Sequence, residues 1–372
     1  MNRTMMLGLV ILLMSMALLA CPQKQDQQQS QEQEQYDAKE NFRAYATFNR
    51  EAAMISEYVG TGTTVRIPPV INGLPVTSIE TRAFFGKGLT SVTIPGSVTS
   101  IEMEAFYKNQ LASVTISDGV VSIGNWAFAE NQLANVTIPG SVSYISYNAF
   151  YKNQLASVTL LEGVTSIASD AFAKNQIASV VIPNSVTKIG ERAFAENKLT
   201  TVTIPGSVKY IENNAFHKNQ LTSITISGGV VVIANGVFAE NKLTSVAIPD
   251  SVTVIGNKAF ANNQLSSVAI PGSVTDIRAE AFVNNRLSSV TIPRGRTYIG
   301  DRAFAGNHFA SIIIGEKVIL NNDQNEDWSS SGVFDNGFDD FYYGNERKAG
   351  IYTYSDDQWE YTEPRQTDIG GK

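Results

Sequence analysis

At 372 residues the chain is long enough for two or three ordinary domains, and 43% hydrophobic content is enough for a substantial core. A formal net charge of −7 argues against nucleic acid as a partner, which calls for clustered Lys and Arg. A single cysteine excludes an intramolecular disulfide, and only two histidines, His217 and His308, are available for metal or acid–base chemistry.

The first element is a leader. Arg3 is followed by an apolar run over 5–19, shorter than the ~20 residues a membrane span needs, and its order is that of a secretory signal. Leu18-Leu19-Ala20-Cys21 resembles a bacterial lipobox, although Leu19 departs from the small or β-branched residue commonest there. That resemblance implies a signal peptide over 1–20, cleavage before Cys21, and a diacylated Cys21 as membrane anchor. Residues 21–41 are then the lipidated cysteine and a tether. The tether is Gln- and Glu-rich, and too poor in apolar residues to fold. A flexible chain of that length reaches on the order of 25 Å. Over 42–63, Tyr45, Thr47, Met54, Ser56 and Tyr58 alternate around a turn near Asn49 and Arg50. This pattern predicts a hairpin that forms an N-terminal cap.

Residues 64–315 are a repeat array. Phe84, Phe106, Phe128, Phe150, Phe172, Phe194, Phe216, Phe238, Phe260, Phe282 and Phe304 stand 22 residues apart without a slip. A unit of that size cannot bury its own apolar face and must stack on its neighbours, so the period predicts a solenoid. In one unit Val202 and Ile204 alternate with polar residues in a strand, and Pro205 ends it because proline has no N–H for the ladder. Gly206 and Ser207 turn the chain, Val208 and Ile211 return to the core, and 213–216 reads as a short helical or 3₁₀ turn burying Phe216. The expected fold is one parallel β-sheet of about twelve short strands, the last over 311–314, with short helical or 3₁₀ turns opposite and β-hairpin caps at both ends.

Each recurring position has a physical role. The Phe column, with Phe106, Phe128, Phe150, Phe172, Phe194 and Phe216 at its centre, is core. The Asn column, ten copies from Asn109 to Asn307, reads as a buried ladder that satisfies backbone groups of adjacent coils. Two residues after Phe, charges of opposite sign fall side by side in several coils, as at Glu130 and Lys152, and serve register and solubility. The outward strand positions, among them Thr137, Thr159, Thr203 and Thr225, form a small, uncharged row that is a candidate binding surface. Irregular residues are the other candidates for recognition: Tyr107, Tyr151, His217 and His308 in loops, and Tyr144, Tyr210 and Tyr298 before core positions.

Residues 316–372 read as a degenerate last repeat and an acidic, aromatic C-terminal cap. Five bases stand against thirteen acids there. Asp323, Asn325 and Asp327 imitate the start of a calcium loop. Trp328 stands where the turn glycine is needed and Phe334 where the bidentate acid belongs, so the loop is solvated and acidic. Val333 and Phe334 resume the repeat. Ile351-Tyr352-Thr353-Tyr354 and Trp359-Glu360-Tyr361 predict a β-hairpin around Ser355-Asp356-Asp357-Gln358. Tyr342, Tyr343, Tyr352 and Trp359 are either the core of this cap or a recognition patch.

The unit resembles the BspA-like, or treponemal-type, leucine-rich repeat. Ile177, Val180, Ile182, Pro183, Val186, Ile189, Gly190, Ala193 and Phe194 carry the match, and 72–79 looks like that family's first repeat. The usual cysteine after the phenylalanine is Asn here, and the loop is one residue shorter. The resemblance implies a leucine-rich-repeat solenoid whose strand row lies on a concave face, and a protein that binds other proteins, with relatives regarded as adhesins for host matrix or epithelial cells. Scaffolding of the bacterium's own envelope, or carriage of a small apolar ligand, are the alternatives. No catalytic motif, metal cluster or cofactor signature is present in the sequence, so the expected partners are proteins, and a membrane through the lipid anchor.

Overall fold

A computed structural model describes residues 36–320, 332–335 and 337–364. The leader, Cys21, most of the tether and the acidic loop at 323–327 lie outside the described residues.

The array is a β-solenoid in which each 22-residue coil has three sides. On the first side run the expected strands, such as Thr201–Ile204 and Ser223–Ile226, paired parallel and in register at a step of one repeat. This row is interrupted. Ser179 makes only a single bridge to Ser157, and 245–248 contains no strand. On the second side lies a further row, which the spacing of apolar residues does not separate from the first. Two-residue strands such as Tyr144–Ile145, Ser166–Ile167, Lys188–Ile189 and Tyr210–Ile211 pair parallel from coil to coil. This row is the more continuous one, reaching from the N-terminal hairpin to Tyr210–Ile211 in one sheet.

The third side carries the phenylalanines, and here 213–216 and its equivalents are hydrogen-bonded turns rather than helical or 3₁₀ ones. The reason lies in the backbone. Residues two before and two after each core Phe are left-handed, as at Arg192 (φ 54°) and Glu196 (φ 56°), and such residues break a helix. Their N–H groups turn to the next coil instead. Arg192, Phe194 and Glu196 donate to the carbonyls of Asn213, Ala215 and His217 at 3.0, 2.9 and 2.9 Å. Neighbouring coils therefore specify each other's backbone, which lets Lys, Glu and Arg occupy positions that usually favour glycine.

Two kinds of corner join the first and second sides. In one, a serine hydroxyl donates to the previous coil, as Ser185 does to the Val164 carbonyl at 2.7 Å. In the other the backbones approach so closely that only glycine fits. A Cβ on Gly229 would overlap the Gly206 carbonyl oxygen.

One apolar cluster runs the whole length from Phe42 to Trp359. Its axis is the phenylalanine stack, with successive rings 4.7 to 5.8 Å apart from Phe84 to Phe304. Both caps continue it with their own aromatics. Tyr58 stacks on Phe84 at 5.4 Å, and Phe334 on Phe304 at 5.0 Å. The N-terminal hairpin, Phe42–Ala46 and Ala53–Tyr58, joins the second strand row through parallel pairing with Leu74–Ile79. At the other end Gly350–Ser355 pairs antiparallel with Ser311–Ile314 and closes the first row. Its partner strand is Gln358–Thr362, across a turn in which Asp356 and Asp357 are both left-handed, the type I′ pattern. Between coil and hairpin sits a helix, Phe338–Gly344, that the sequence did not announce.

Tyr342, Tyr352 and Trp359 are buried in this cap, and Tyr343 is half-buried, its hydroxyl donating to the Leu320 carbonyl. Tyr342, Tyr352 and Trp359 are therefore core of the cap rather than an exposed patch, and Tyr343 lies at its edge. An array end exposes core, and these rings cover it, with Phe338 edge-on to Trp359 at 4.8 Å and to Tyr352 at 5.3 Å.

The cap also buries a carboxylate. Asp339 Oδ2 accepts the Phe334 N–H at 3.3 Å, while Oδ1 has no hydrogen-bond partner among the described residues. Burial above all pushes its pKa from 3.8 up to about 7, and the nearby Asp335 and Asp340 add to the shift. The folded cap thus prefers the protonated acid. Its contribution to stability is fully present below the unfolded value of 3.8 and is lost as pH rises through about 7. Amide exchange in Phe338–Gly344 should accelerate between pH 5 and 8 beyond the intrinsic chemical rate, and Asp339→Asn should flatten that extra dependence. An unchanged profile in the variant would contradict the assignment.

Candidate functional site

The polar columns divide into those that hold the coils together and those that face outward. Every Asn of the ladder is buried. Asn197 is typical: Oδ1 accepts the Ile177 N–H of the previous coil at 3.0 Å, and Nδ2 donates to the carbonyls of Phe172 and Phe194 at 2.9 and 3.1 Å. This column is structural, as its pattern suggests. The charge column pairs in part, with Lys152–Glu130 at 3.3 Å and Lys218–Glu240 at 3.8 Å. These are exposed contacts worth at most ~1 kcal/mol each.

Thr137, Thr159, Thr203 and Thr225 are all exposed on the first strand row. They form a flat file of hydroxyls and methyls without an aromatic or charged anchor. Val181 interrupts the file at 81% exposure.

The second strand row offers more chemistry. In the early coils its outward position is small, and Ser78 and Ser100 simply share a hydrogen bond at 3.0 Å. From Tyr144 onward it carries Tyr144, Ser166, Lys188, Tyr210, Val232, Val254, Asp276 and Tyr298. Tyr210 is 68% exposed, Tyr147 50% and Tyr144 41%. A groove of about 860 Å³ opens there, lined by Lys188, Glu191, Lys209, Tyr210, Glu212, Asn213, Val231 and Val232 among others. Lys188 and Glu212 also line a hollow of about 70 Å³ with Tyr144 and Tyr147. Farther along the row Asp276, Arg278 and Tyr298 border another, of about 480 Å³.

The charges in the groove are fixed rather than free. Lys188 Nζ lies 2.7 Å from Glu212 Oε1, and that hydrogen bond holds the ammonium above its ordinary pKa. Glu212 Oε2 accepts the Glu191 N–H at 3.1 Å. The Tyr144 phenol is pushed up to about 12, first by partial desolvation and then by its hydrogen bond with Tyr147. Arg278 donates to Asp276 at 3.0 Å. The arrangement is an apolar centre, Tyr210 with Val231 and Val232, inside a rim of charges of both signs. Exposed aromatic anchors with a polar surround are what protein-binding patches use.

Tyr144, Tyr210 and Tyr298 stand out in the sequence as irregular. Lys188, Glu212, Val231 and Val232 do not, because their meeting depends on coils 22 residues apart. One signal is available: Lys209 and Val231 in succession break the Thr and Ser pattern of their column, which Val121 alone breaks elsewhere. Among the described residues no group of His, Cys, Asp and Glu could hold a metal, and no helix is long and apolar enough to cross a membrane.

Parallel coils, a continuous asparagine ladder and a patterned outer face define a leucine-rich-repeat solenoid, a class that generally serves as a non-enzymatic binding scaffold. The profile of the BspA-type leucine-rich repeat region matches residues 77–199 and 187–311, in six copies, and the chain belongs to that family. Among curated proteins none matches. Solved structures that it resembles come from bacteria. A leucine-rich repeat protein from Bacteroides ovatus is 20% identical over 74% of this chain and 70% of that one, with a TM-score of 0.46. A leucine-rich cell surface protein from Faecalibacterium prausnitzii is 25% identical over 80% and 97%, with a TM-score of 0.42. The pneumococcal vaccine antigen PcpA is 19% identical over 74% and 80%, with a TM-score of 0.48.

Proposed function

We propose that the chain is a membrane-anchored bacterial lipoprotein whose solenoid binds proteins of host cells or extracellular matrix, using the second strand row as its contact face. The observation that carries this reading is the exposed Tyr210 in an open groove, with exposed Tyr144 and Tyr147 lining the adjoining hollow that shares Lys188 and Glu212. Tyrosine supplies contact area with little entropy lost, so several exposed together make an effective anchor set. The Lys188–Glu212 pair and Lys209 form the rim that orients a partner. The lipobox-like 18–21 supports anchoring through Cys21, and 22–41 supports a tether.

The test uses the chain lacking residues 1–20 and carrying Cys21→Ser, presented to immobilised matrix proteins and to epithelial cells. Saturable binding is expected. Tyr210→Ala should weaken it at least tenfold, about 1.4 kcal/mol, while leaving the thermal midpoint nearly unchanged because the ring is exposed. No saturable binding at micromolar protein would contradict adhesion. Binding that survives Tyr210→Ala, Tyr144→Ala and Tyr147→Ala together would move the contact off this face.

A further inference from the structure

The third side of the solenoid carries a feature that neither the fold nor the groove explains. Four aromatic side chains form a continuous surface strip across its first coils. Phe85 and Tyr107 lie 5.6 Å apart, Tyr107 and Trp126 5.7 Å, and Trp126 and Tyr151 5.5 Å. None belongs to the buried phenylalanine stack. Phe85 is exposed, and the other three are partly exposed. Cations lie over three of the rings: Arg82 over Phe85 at 5.5 Å, Lys108 over Tyr107 at 5.1 Å and Lys174 over Tyr151 at 5.5 Å. Among the described residues Lys108 and Lys174 have no ion-pair partner, whereas Glu104 and Glu130 beside them are neutralised by Arg82 and Lys152. The strip is also confined to one end. Beyond Tyr151 the position after the core Phe is filled by Ala173, Ala195, Ala239, Ala261 and Ala305 in five of the remaining coils.

We propose that this strip is a lipid-facing surface that rests on anionic headgroups and holds the N-terminal coils against the bilayer. For its setting the proposal rests on the lipid-anchor reading of Cys21. Its chemistry is that of a bilayer interface, where Trp and Tyr place an apolar ring among acyl chains and a polar tip among headgroups. Lysines held beside such rings without a carboxylate partner complement anionic lipid. Position agrees with chemistry. Residues 22–35 join Cys21 to the first described residue, so an anchor at Cys21 attaches at the N-terminal end of the array. The strip spans three coil steps, roughly 14 Å at strand spacing, at the end nearest that tether. Because it occupies the third side, the groove of the second side stays open to a partner while the strip is engaged.

The experiment uses the chain lacking residues 1–20 and carrying Cys21→Ser, so that no acyl chain contributes. It is sedimented with vesicles of phosphatidylglycerol and phosphatidylethanolamine, and with vesicles of phosphatidylcholine alone. Binding to the anionic vesicles should be at least tenfold stronger and should fall sharply in 0.5 M salt, roughly a 4 Å screening length. The double variant Lys108→Glu, Lys174→Glu should lose that binding at least tenfold with an unchanged thermal midpoint, while Tyr210→Ala binds as the parent does. Equal or absent binding to the two vesicle types, or a charge-reversed variant that binds normally, would overturn the proposal. Loss of matrix-protein binding in that variant without vesicle binding by the parent would overturn it too, and would assign the strip to the adhesive partner. The anchor is tested apart from this, by palmitate labelling at Cys21 in cells. Missing label with intact vesicle binding removes the anchor reading and leaves the strip.

Discussion

Replacing Phe194 by alanine is expected to destabilise the array by about 3–5 kcal/mol, the range for deletion of a large buried aromatic. Phe194 is fully buried, with ring centroids 5.4 Å from Phe172 and 5.6 Å from Phe216. Truncation removes both stacking contacts and leaves a cavity that cannot collapse, because inter-coil hydrogen bonds hold the backbone on either side. The effect should also spread. Stability in a solenoid is close to a sum of coil and interface terms, so weakening two adjacent interfaces in mid-array should broaden or split the unfolding transition. Chemical denaturation followed by circular dichroism reads both the midpoint and its width. A midpoint equal to that of the parent would contradict the placement of this column.

The second large effect is expected at Asn197. Asn197→Ala would strand the Ile177 N–H in a dry interior and take one of two side-chain donors from each of the Phe172 and Phe194 carbonyls, which keep Asn175 and Asn219. The stranded N–H costs about 1–3 kcal/mol, and the lost second donors with the volume removed should bring the total to about 2–4 kcal/mol. Asn197→Asp separates hydrogen bonding from volume. A carboxylate still accepts from Ile177, but it loses both donors and faces two carbonyl oxygens. The acid form regains one donor, so the Asp variant should be more stable at pH 4 than at pH 7 relative to the parent. A pH-independent difference would show that the asparagine acts by volume alone.

Much of this architecture was legible because the repeat states each position ten or eleven times. Phenylalanine, the residue before it, the asparagine and the alternating strand residues all recur at one spacing, and a recurring apolar residue has one plausible place. The second strand row was not legible in the same way. Strands such as Ser100–Ile101 have two residues, too few to show alternation. The left-handed positions were hidden by chemistry: Lys, Glu, Arg and Trp occupy them where a turn ordinarily shows glycine, since the next coil's carbonyls enforce the conformation. Helix Phe338–Gly344 was obscured by the aromatic residues Phe341, Tyr342 and Tyr343, which favour strands in isolation. Their helical form is decided by packing on the last coil.

The candidate site was only half legible. The tyrosines announce themselves as departures from the repeat, but the partners that give them a groove arrive from neighbouring coils. Lys188, Glu212 and Val232 look ordinary until stacking brings them beside Tyr210. The hydroxyl file at Thr137, Thr159, Thr203 and Thr225 is the reverse case. It is conspicuous in sequence, and in the structure it is a flat exposed row with no anchor.

The most direct test of the proposed role is protease treatment of intact cells, followed by immunodetection of this chain beside a known periplasmic protein. The account predicts that the chain is lost while the control survives, which puts the groove where a host protein can reach it. Full protection until the envelope is opened would contradict surface adhesion and turn the search for partners inward, to the bacterium's own envelope.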